Sequence, residues 1–469
     1  MTSTRSGSDG GLGSERARAL ESLRQYGFDP ISWQALESPF SYWFGAGGFV
    51  GYIDTGRAWV AAGMPVGPPT DRKRLTLDFI AAARAAKRRA VFFGADPALL
   101  AEIGGVVFRI GRRPYWSVAT WDLGGHRRAT LRYQLQRARR HGVQVRAIDP
   151  AELRDTSSPL RRQIDQLSAA WLDRRAMAPM GFVVSLELYV LPELHRYFAA
   201  EKESRLVGLL SAVPVFARDG WFAEDILRAD DAPNGTAELL IATFFEQVRS
   251  EGARYATLGL APLSGPLNRP LRLVRTLAKP LFDFHGLERF KEKMTPDGHE
   301  DRYIGAGPGT GQLRALIEVL AAFSARGFIR FGLLTLARGS LAVVGALTGL
   351  LLIWIPVLAG ASTRTWFPSA GWHLGWVIFD LGLAAGLFRL CRGYRQRLAI
   401  ALAAAVTADA LATLAEALWF NLPRIQARWE WAVLAVGCAG PIAGSVALWT
   451  VVRRQARRYA IRRSTINRR

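Results

Sequence analysis

Between Arg338 and Arg364 the chain carries no charged residue, and the run Ser340–Gly360 is long enough to cross the hydrocarbon of a bilayer. Three apolar runs follow: Trp372–Phe388 with Asp380, Leu398–Phe420 with Asp409 and Glu416, and Trp431–Val452 without a charge. A backbone in hydrocarbon must satisfy its own N–H and C=O groups, so such runs become helices. The C-terminal third therefore reads as an all-α domain of four transmembrane helices over 339–453. Arg389, Arg392, Arg395 and Arg397 join the second and third runs, and eight arginines follow the fourth. The other loops hold only Arg364 and the pair Arg424 and Arg428. Basic loops stay on the cytoplasmic side, which puts the N-terminal body, the middle loop and the basic tail, 454–469, in the cytoplasm. Trp354, Trp366, Trp372, Trp419, Trp429 and Trp431 supply interfacial anchors.

The formal net charge is +22, and the last third, from Arg326, holds 18 arginines against four acids. Positive charge concentrated in the most apolar part points to a membrane, not primarily to nucleic acid. Heavy arginine and alanine usage suits a GC-rich bacterial genome, so the expected location is the bacterial inner membrane. Intramembrane acids are costly and are functional candidates by default. Asp409 and Glu416, seven apart, share a helix face that Asp380 can meet from a neighbouring helix. Snorkelling, protonation or arginine pairing explains them as well as a transport or lipid-headgroup role does.

The first 24 residues, rich in Ser, Gly and Arg, read as disordered. Beyond them strands and helices alternate. Two short strands around a turn occupy 48–63. Helical periodicity over Thr76–Arg89 precedes a buried strand run, Ala90–Gly94. A short helix (Ala98–Ile103), a strand from Val106, a basic helix (Ala129–His141) and the strand Val143–Ile148 follow. The rhythm restarts with a helix at Ser158–Asp173, a hairpin of Arg205–Phe216 with Gly220–Leu227, a helix at Ala237–Gly252 and a strand at Tyr255–Leu260. Two consecutive α/β units, 25–157 and 158–305, are expected, with a linker and juxtamembrane amphipathic helix over 306–338. Cys391 and Cys438 form no metal spacing, and no Walker loop or nucleophile elbow is present. Arg302-Tyr303-Ile304-Gly305-Ala306-Gly307 matches the R-x-x-G-x-G pattern that cradles the coenzyme A pyrophosphate in GNAT acyltransferases.

Five segments in order carry a second resemblance: Gly63-Met64-Pro65-Val66-Gly67-Pro68, Leu131–Gly142, Asp225-Ile226-Leu227-Arg228, Leu258-Gly259-Leu260-Ala261-Pro262-Leu263, and Leu287–Tyr303 with Arg289-Phe290-Lys291-Glu292-Lys293-Met294. Together, over about 40–305, they resemble the C-terminal catalytic domain of the phosphatidylglycerol lysyltransferases. The family usually has Asp at Met64, a second Phe at Met294 and Trp at Gly298. It also places its many-helix region before the catalytic domain, whereas here the apolar runs follow it. The resemblance implies a tandem GNAT-like α/β fold, with the catalytic site in the second unit. It implies transfer of lysine or alanine from aminoacyl-tRNA to a lipid hydroxyl, most often that of phosphatidylglycerol, with no cofactor besides the donor. An anionic phospholipid and aminoacyl-tRNA are the expected partners, and a homo-oligomer is compatible with them.

An aminoacyl ester is already activated, so the enzyme must align the hydroxyl, assist its deprotonation and stabilise an oxyanion. By resemblance Asp225 and Arg228, at a strand end, belong to the aminoacyl pocket; a surface ion pair is the alternative. Lys291 and Lys293 complete the expected catalytic set, with Arg302 and Tyr303 binding substrate. Without the resemblance these form a solvated charge run. Glu238 opens a helix as a site residue or as an ordinary N-terminal acid. Gly259, Pro262 and Leu263 form a loop at a strand end that lines a site or only turns the chain. Arg128, Arg132 and Arg139 on the basic helix meet tRNA phosphates or water. Arg272 and Arg275, on a helix expected over Pro266–Leu281, meet anionic lipid or pack between domains. Two rival functions remain: an acyl-CoA transferase using Gly305 and Gly307, and a degenerate transferase regulating a four-helix transporter.

Overall fold

The computed structural model describes residues 9–466 except 38, 46, 103, 176–179, 268–270, 273–274, 276–281, 325–326, 328–330, 332–340 and 361–365. The chain forms two units, a mixed α/β body reaching Gly327 and a helical unit from Phe328 onward.

In the body, among the described residues, twelve strands join one sheet. They are β1 (Ser41–Gly45), β2 (Gly48–Asp54), β3 (Ala58–Ala62), β4 (Arg89–Ala95), β5 (Val106–Ser117), β6 (Gln144–Ile148), β7 (Arg196–Lys202), β8 (Arg205–Val215), β9 (Gly220–Arg228), β10 (Tyr255–Thr257), β11 (Ala261–Pro262) and β12 (Gly298–Ala306). The order is β1-β2-β3-β4-β12-β5-β10-β9-β8-β7-β6, with β11 beside β5. One arrangement occurs twice. A three-stranded meander, β1–β3 or β7–β9, leads through a helix, Arg72–Ala85 or Thr236–Ser250, to a parallel fourth strand, β4 or β10. Each half then lends a strand to the other: β5 pairs with β10, and β12 inserts between β4 and β5.

Side-chain alternation makes this sheet a two-sided core. Phe79 and Ala83 of Arg72–Ala85 pack with Val50, Ala61 and Phe92 on one face. Val60, Val91, Phe93 and Ile304 meet Ala315, Val319 and Ala322 of the helix Gln312–Phe323 on the other. In the second half, Leu135, Leu240 and Phe244 cover Phe198, Leu210 and Ala212. Ile164 and Leu167 of the helix Pro159–Arg174 cover Tyr197, Leu209 and Leu227 on the opposite face.

Three features depart from the sequence-based expectations. Residues 1–24 are not disordered throughout: Asp9–Tyr26 is a helix whose Ala19 and Leu23 enter the core, with Arg18 stacked over Phe44. β10 ends at Thr257 because the chain turns through Gly259 at φ +74°. The Arg302–Gly307 segment is no phosphate loop; all but its last residue belongs to β12, in the middle of the sheet. Gly305 is small there because a Cβ would lie 2.2 Å from Leu100 Cδ1. The charges of β12 are balanced internally. Arg113, almost wholly buried, binds Asp29 at 2.5 Å and Glu300 at 2.6 Å, and Arg218 and Arg302 each reach Glu300 at 2.6 Å.

The C-terminal unit contains the helices Leu341–Ala359, Ala370–Arg392, Gln396–Glu416 and Arg428–Ile466. Over the described residues, three helical stretches are long and apolar enough to cross a membrane: Ala370–Arg392, Gln396–Arg424 and Trp429–Ala456. Val343–Ala359 is a shorter apolar helix. Leu383, Leu387, Leu402, Val406, Leu448 and Val451 form its core. Ile353, Ile378, Val436 and Val446 point outward. The two acids of Gln396–Glu416 have local partners. Glu416 accepts hydrogen bonds from Trp372 Nε1 (2.9 Å) and Trp376 Nε1 (2.8 Å), and Asp409 from Thr413 (3.1 Å). Asp380 is buried.

Candidate active site

The parallel pair β9–β10 holds together only from Gly220 to Phe222 and from Tyr255 to Thr257. Beyond it the strands part. The chain after Thr257 swings away to join β5 as β11. Gly259 makes the swing, and any Cβ there would sit 2.7 Å from the Phe222 ring. β9 instead continues along β8 through an irregularity: Ala223 faces Ala212 and Asp225 faces Ser211, leaving Glu224 as the extra residue of a bulge. A bulge re-aims a side chain, and here it sets two consecutive acids where the sheet opens.

Glu37, buried just beyond the short helix Ile31–Gln34, completes the cluster. Its carboxyl and that of Glu224 share a hydrogen bond, and the Gln34 amide also reaches Glu224. Gln34 Nε2 is fixed by the Val183 carbonyl at 2.8 Å, and Ser185 Oγ donates to Glu37 Oε2 at 3.4 Å. Burial raises Glu37 well above the usual carboxylate range, and repulsion from Glu224 and Asp225 adds to the effect. Burial also lifts Glu224 to about 7. Asp225 rises through burial and the Glu224 charge, partly offset by Arg175. Glu224 Oε1 is buried with no hydrogen-bond partner among the described residues. Burial thus disfavours three negative charges at this point, with Arg175 offsetting only part of the cost at Asp225, and the protonated forms are favoured. An incoming ammonium would compensate the charges, and a carboxyl near pH 7 can exchange a proton with a reacting hydroxyl.

His195 supports this face of the sheet. Its Nε2 lies 2.9 Å from the Val190 carbonyl, so that nitrogen carries the proton and Nδ1 accepts from Ser211 Oγ at 2.9 Å. Burial pushes its pKa down to about 4, so the ring stays neutral, stacked on Tyr197 and edge-on to Trp33. Ser211 is the cross-strand neighbour of Asp225.

The residues singled out in the sequence separate in space. Asp225 lies in the cluster, but Arg228, three residues along the strand, projects from the opposite face and is exposed. Glu238 is buried on Thr236–Ser250, a helix that packs on that opposite face. Lys291 is buried and spends its three donors on the carbonyls of Leu258, Gly259 and Leu260 at 2.7, 2.8 and 2.9 Å. Burial pushes its pKa down to about 7, whereas three carbonyl acceptors favour the charged form. The geometry makes Lys291 the clamp of the loop that leaves β10. Pro262 is held in β11, and Leu263, at φ +54°, donates to Ile110 O at 2.6 Å. Lys293 is exposed, Arg302 is committed to Glu300, and Tyr303 lies within β12. Arg128 and Arg132 bind the 122–125 loop, through Asp122 O at 2.5 Å and through Leu123 O and Gly125 O at 2.5 and 2.7 Å. Arg139 is exposed. The expected helix over Pro266–Leu281 lies largely outside the described residues, although Arg275 is seen donating to Leu263 O at 3.1 Å and Arg272 is exposed. Glu37, Glu224 and His195 escaped sequence reasoning. Only Glu224, preceding Asp225, stood beside a recognised segment.

A swapped, twelve-stranded α/β body with a buried acidic site at a split in the sheet, joined to apolar helices, is the class this molecule represents. The family model "Phosphatidylglycerol lysyltransferase, C-terminal" matches residues 20–306, and the chain belongs to that family. It is 25% identical over 213 residues to the phosphatidylglycerol lysyltransferase of Bacillus subtilis, covering 43% of this chain and 24% of that protein. An uncharacterised protein of Corynebacterium glutamicum is 24% identical over 307 residues, 61% of this chain and 38% of its own length. The chain therefore spans well under half of the curated relatives it matches. Among solved structures, the C-terminal domain of a lysylphosphatidylglycerol synthetase candidate from Agrobacterium fabrum aligns with TM-score 0.58 at 22% identity, covering 68% of this chain and all of that one. L-PGS from Bacillus licheniformis aligns with TM-score 0.56 at 20% identity, covering 66% and 97%. These alignments share the fold of the body.

Proposed function

We propose that the protein transfers an amino acid from aminoacyl-tRNA to the hydroxyl of an anionic phospholipid, phosphatidylglycerol first among them, at the cytoplasmic face of the bacterial inner membrane. The observation that carries this reading is the proton-holding cluster of Glu37, Glu224 and Asp225 where β9 and β10 part. Family membership supplies the reaction class. Each half of the body is, on this reading, a GNAT-like unit, and the second carries the site. The four apolar helices span the membrane, with the basic middle loop and tail inside.

Asp225 and Glu37 receive the ammonium of the aminoacyl group, a role that favours lysine, which brings two ammonium groups, over alanine. Glu224 takes the proton of the lipid hydroxyl as its oxygen attacks the ester carbonyl. The C–O bond to the tRNA ribose then breaks, and the proton passes to the departing ribose oxygen. The acyl-CoA alternative loses its phosphate cradle, because Arg302 and Gly305 lie inside β12. Mass spectrometry of lipid extracts from cells expressing the intact protein or its Asp225→Asn variant tests the reading. An aminoacylated lipid made only by the intact protein supports it; identical lipid profiles, with both proteins in the membrane, count against it.

A further inference from the structure

A concave region lies at the end of the first parallel strand pair where β3 and β4 begin. It is a cavity of about 550 Å³ whose lining includes Arg57, Arg84, Lys87, Gly307, Gly309 and Thr310. Arg57 comes from the β2–β3 turn, Arg84 from the last turn of Arg72–Ala85 and Lys87 from the link into β4. The glycine segment forms the remaining wall. Thr310 N–H bonds the Gly307 carbonyl at 3.3 Å across Pro308 and Gly309, and Gly309 at φ +84° satisfies the turn. Two more cations of the lining are already paired, Arg88 with Asp54 at 2.9 Å and Arg89 with Glu318 at 3.6 Å. Arg57, Arg84 and Lys87 are exposed and have no carboxylate within ion-pair distance among the described residues. Three uncompensated cations around one cavity define a site for anions.

The adjoining helix says which anions. Gln312–Phe323 begins directly after the glycine turn and is held by Glu318, which accepts from Thr55 Oγ1 at 2.7 Å. Its inner face, Ala315, Val319 and Ala322, is buried in the core. Its outer face exposes Leu313 (71%), Ile317 (40%) and Leu320 (48%). The spacing i, i+4, i+7 makes these one stripe, with the exposed Arg314 beside Leu313. On Arg72–Ala85, Leu77, 45% exposed, shares a helix face with Ile80 and Arg84 of the cavity wall. Nucleic acid would use the cations and leave the leucines in water; a bilayer uses both, phosphates on the cations and acyl chains under the stripe.

We infer that the Arg57–Arg84–Lys87 cavity and the Leu313–Ile317–Leu320 stripe form one docking surface for an anionic bilayer, which seats the body on the membrane independently of the spanning helices. It is distinct from the acidic cluster and does not require the transferase reading. The test is hydrogen exchange of the full chain in nanodiscs of phosphatidylcholine alone or mixed with phosphatidylglycerol. Roughly tenfold slower exchange over 312–323 is expected in the anionic discs, abolished by the triple change Arg57→Gln, Arg84→Gln, Lys87→Gln and by added salt. Leu313→Ser with Ile317→Ser should remove the same protection while leaving the cations in place. Equal exchange in both membranes overturns the inference. So does protection that appears in phosphatidylcholine discs on adding tRNA or inorganic phosphate but not on adding phosphatidylglycerol, which would mark a nucleic-acid or small-anion site. Lipid aminoacylation measured on the same preparations separates failure of this surface from failure of the transferase reading.

Discussion

Glu224→Gln should make the protein more stable, and increasingly so as pH rises. Burial lifts Glu224 from an ordinary 4.5 to about 7, so folding favours its protonated form. For a group raised in this way, the stabilising contribution is complete below 4.5 and is lost as pH climbs through about 7. The full difference amounts to about 3 kcal/mol. Glutamine keeps the shape and the hydrogen-bonding edge but never ionises, and it also relieves repulsion on Glu37 and Asp225. The variant and the natural protein should therefore melt together near pH 4.5 and diverge by roughly 5–10 °C at pH 8. The three carboxyls titrate as a set, so the midpoint of the divergence belongs to the cluster, not to one residue. Tryptophan fluorescence during heating of the detergent-solubilised full chain reads the effect, because Trp33 and Trp171 lie in the surrounding elements. Adding L-lysinamide should raise the melting temperature of the natural protein more at pH 8 than at pH 5, since an ammonium stabilises the ionised cluster. Parallel melting curves for variant and natural protein across this range would refute the claim that burial favours the protonated form of the cluster.

The other predictions concern chemistry and architecture. Asp225→Asn should lower lipid aminoacylation roughly 10²-fold with little change in folding, as read by product formation and circular dichroism. Lys291→Met should cost about 2–4 kcal/mol, because it strips the charged partner from three buried carbonyls, while Lys293→Ala at an exposed position should cost less than ~0.5 kcal/mol in the same melts. Gly305→Val should destabilise the body by about 1–3 kcal/mol by driving a side chain into Leu100. If Gly305 instead held a pyrophosphate, the substitution would leave stability alone and affect coenzyme A binding.

Long-period features of this chain were legible because one property decides each of them. Four apolar runs predicted the positions of four helices described in the C-terminal unit, and alternation located β2 to β6, the β8–β9 hairpin and the helices that cover them. β12 was not legible. Gly298–Ala306 is polar where a central strand should be apolar, since Glu300 and Arg302 are neutralised by Arg113, Arg218 and Asp29, which are remote in sequence. The R-x-x-G-x-G match there follows from a packing need, the room Leu100 takes at Gly305, and not from a ligand. Asp225 was found through the family resemblance, but Glu37 joins it only through a sheet that brings residues nearly 190 positions apart together. Lys291 carried the right segment and a different role: a lysine near a motif looks catalytic until three carbonyls are seen to surround its ammonium. Local charge counting put the basic surface on Arg128 and Arg132, whose side chains are tied to the 122–125 loop. The cavity cations are scattered across a turn, a helix end and a link, so no window of sequence contains them.

The most direct test of the central claim is transfer itself. Purified full-length protein in phosphatidylglycerol-containing proteoliposomes, given tRNA charged with radiolabelled lysine, should move the label into a chloroform-extractable lipid, and the Glu37→Gln/Asp225→Asn variant should not. Label that stays on the tRNA, with alanyl-tRNA equally inert and the protein folded in the membrane, would contradict the assignment of the acidic cluster as an aminoacyl-transfer site.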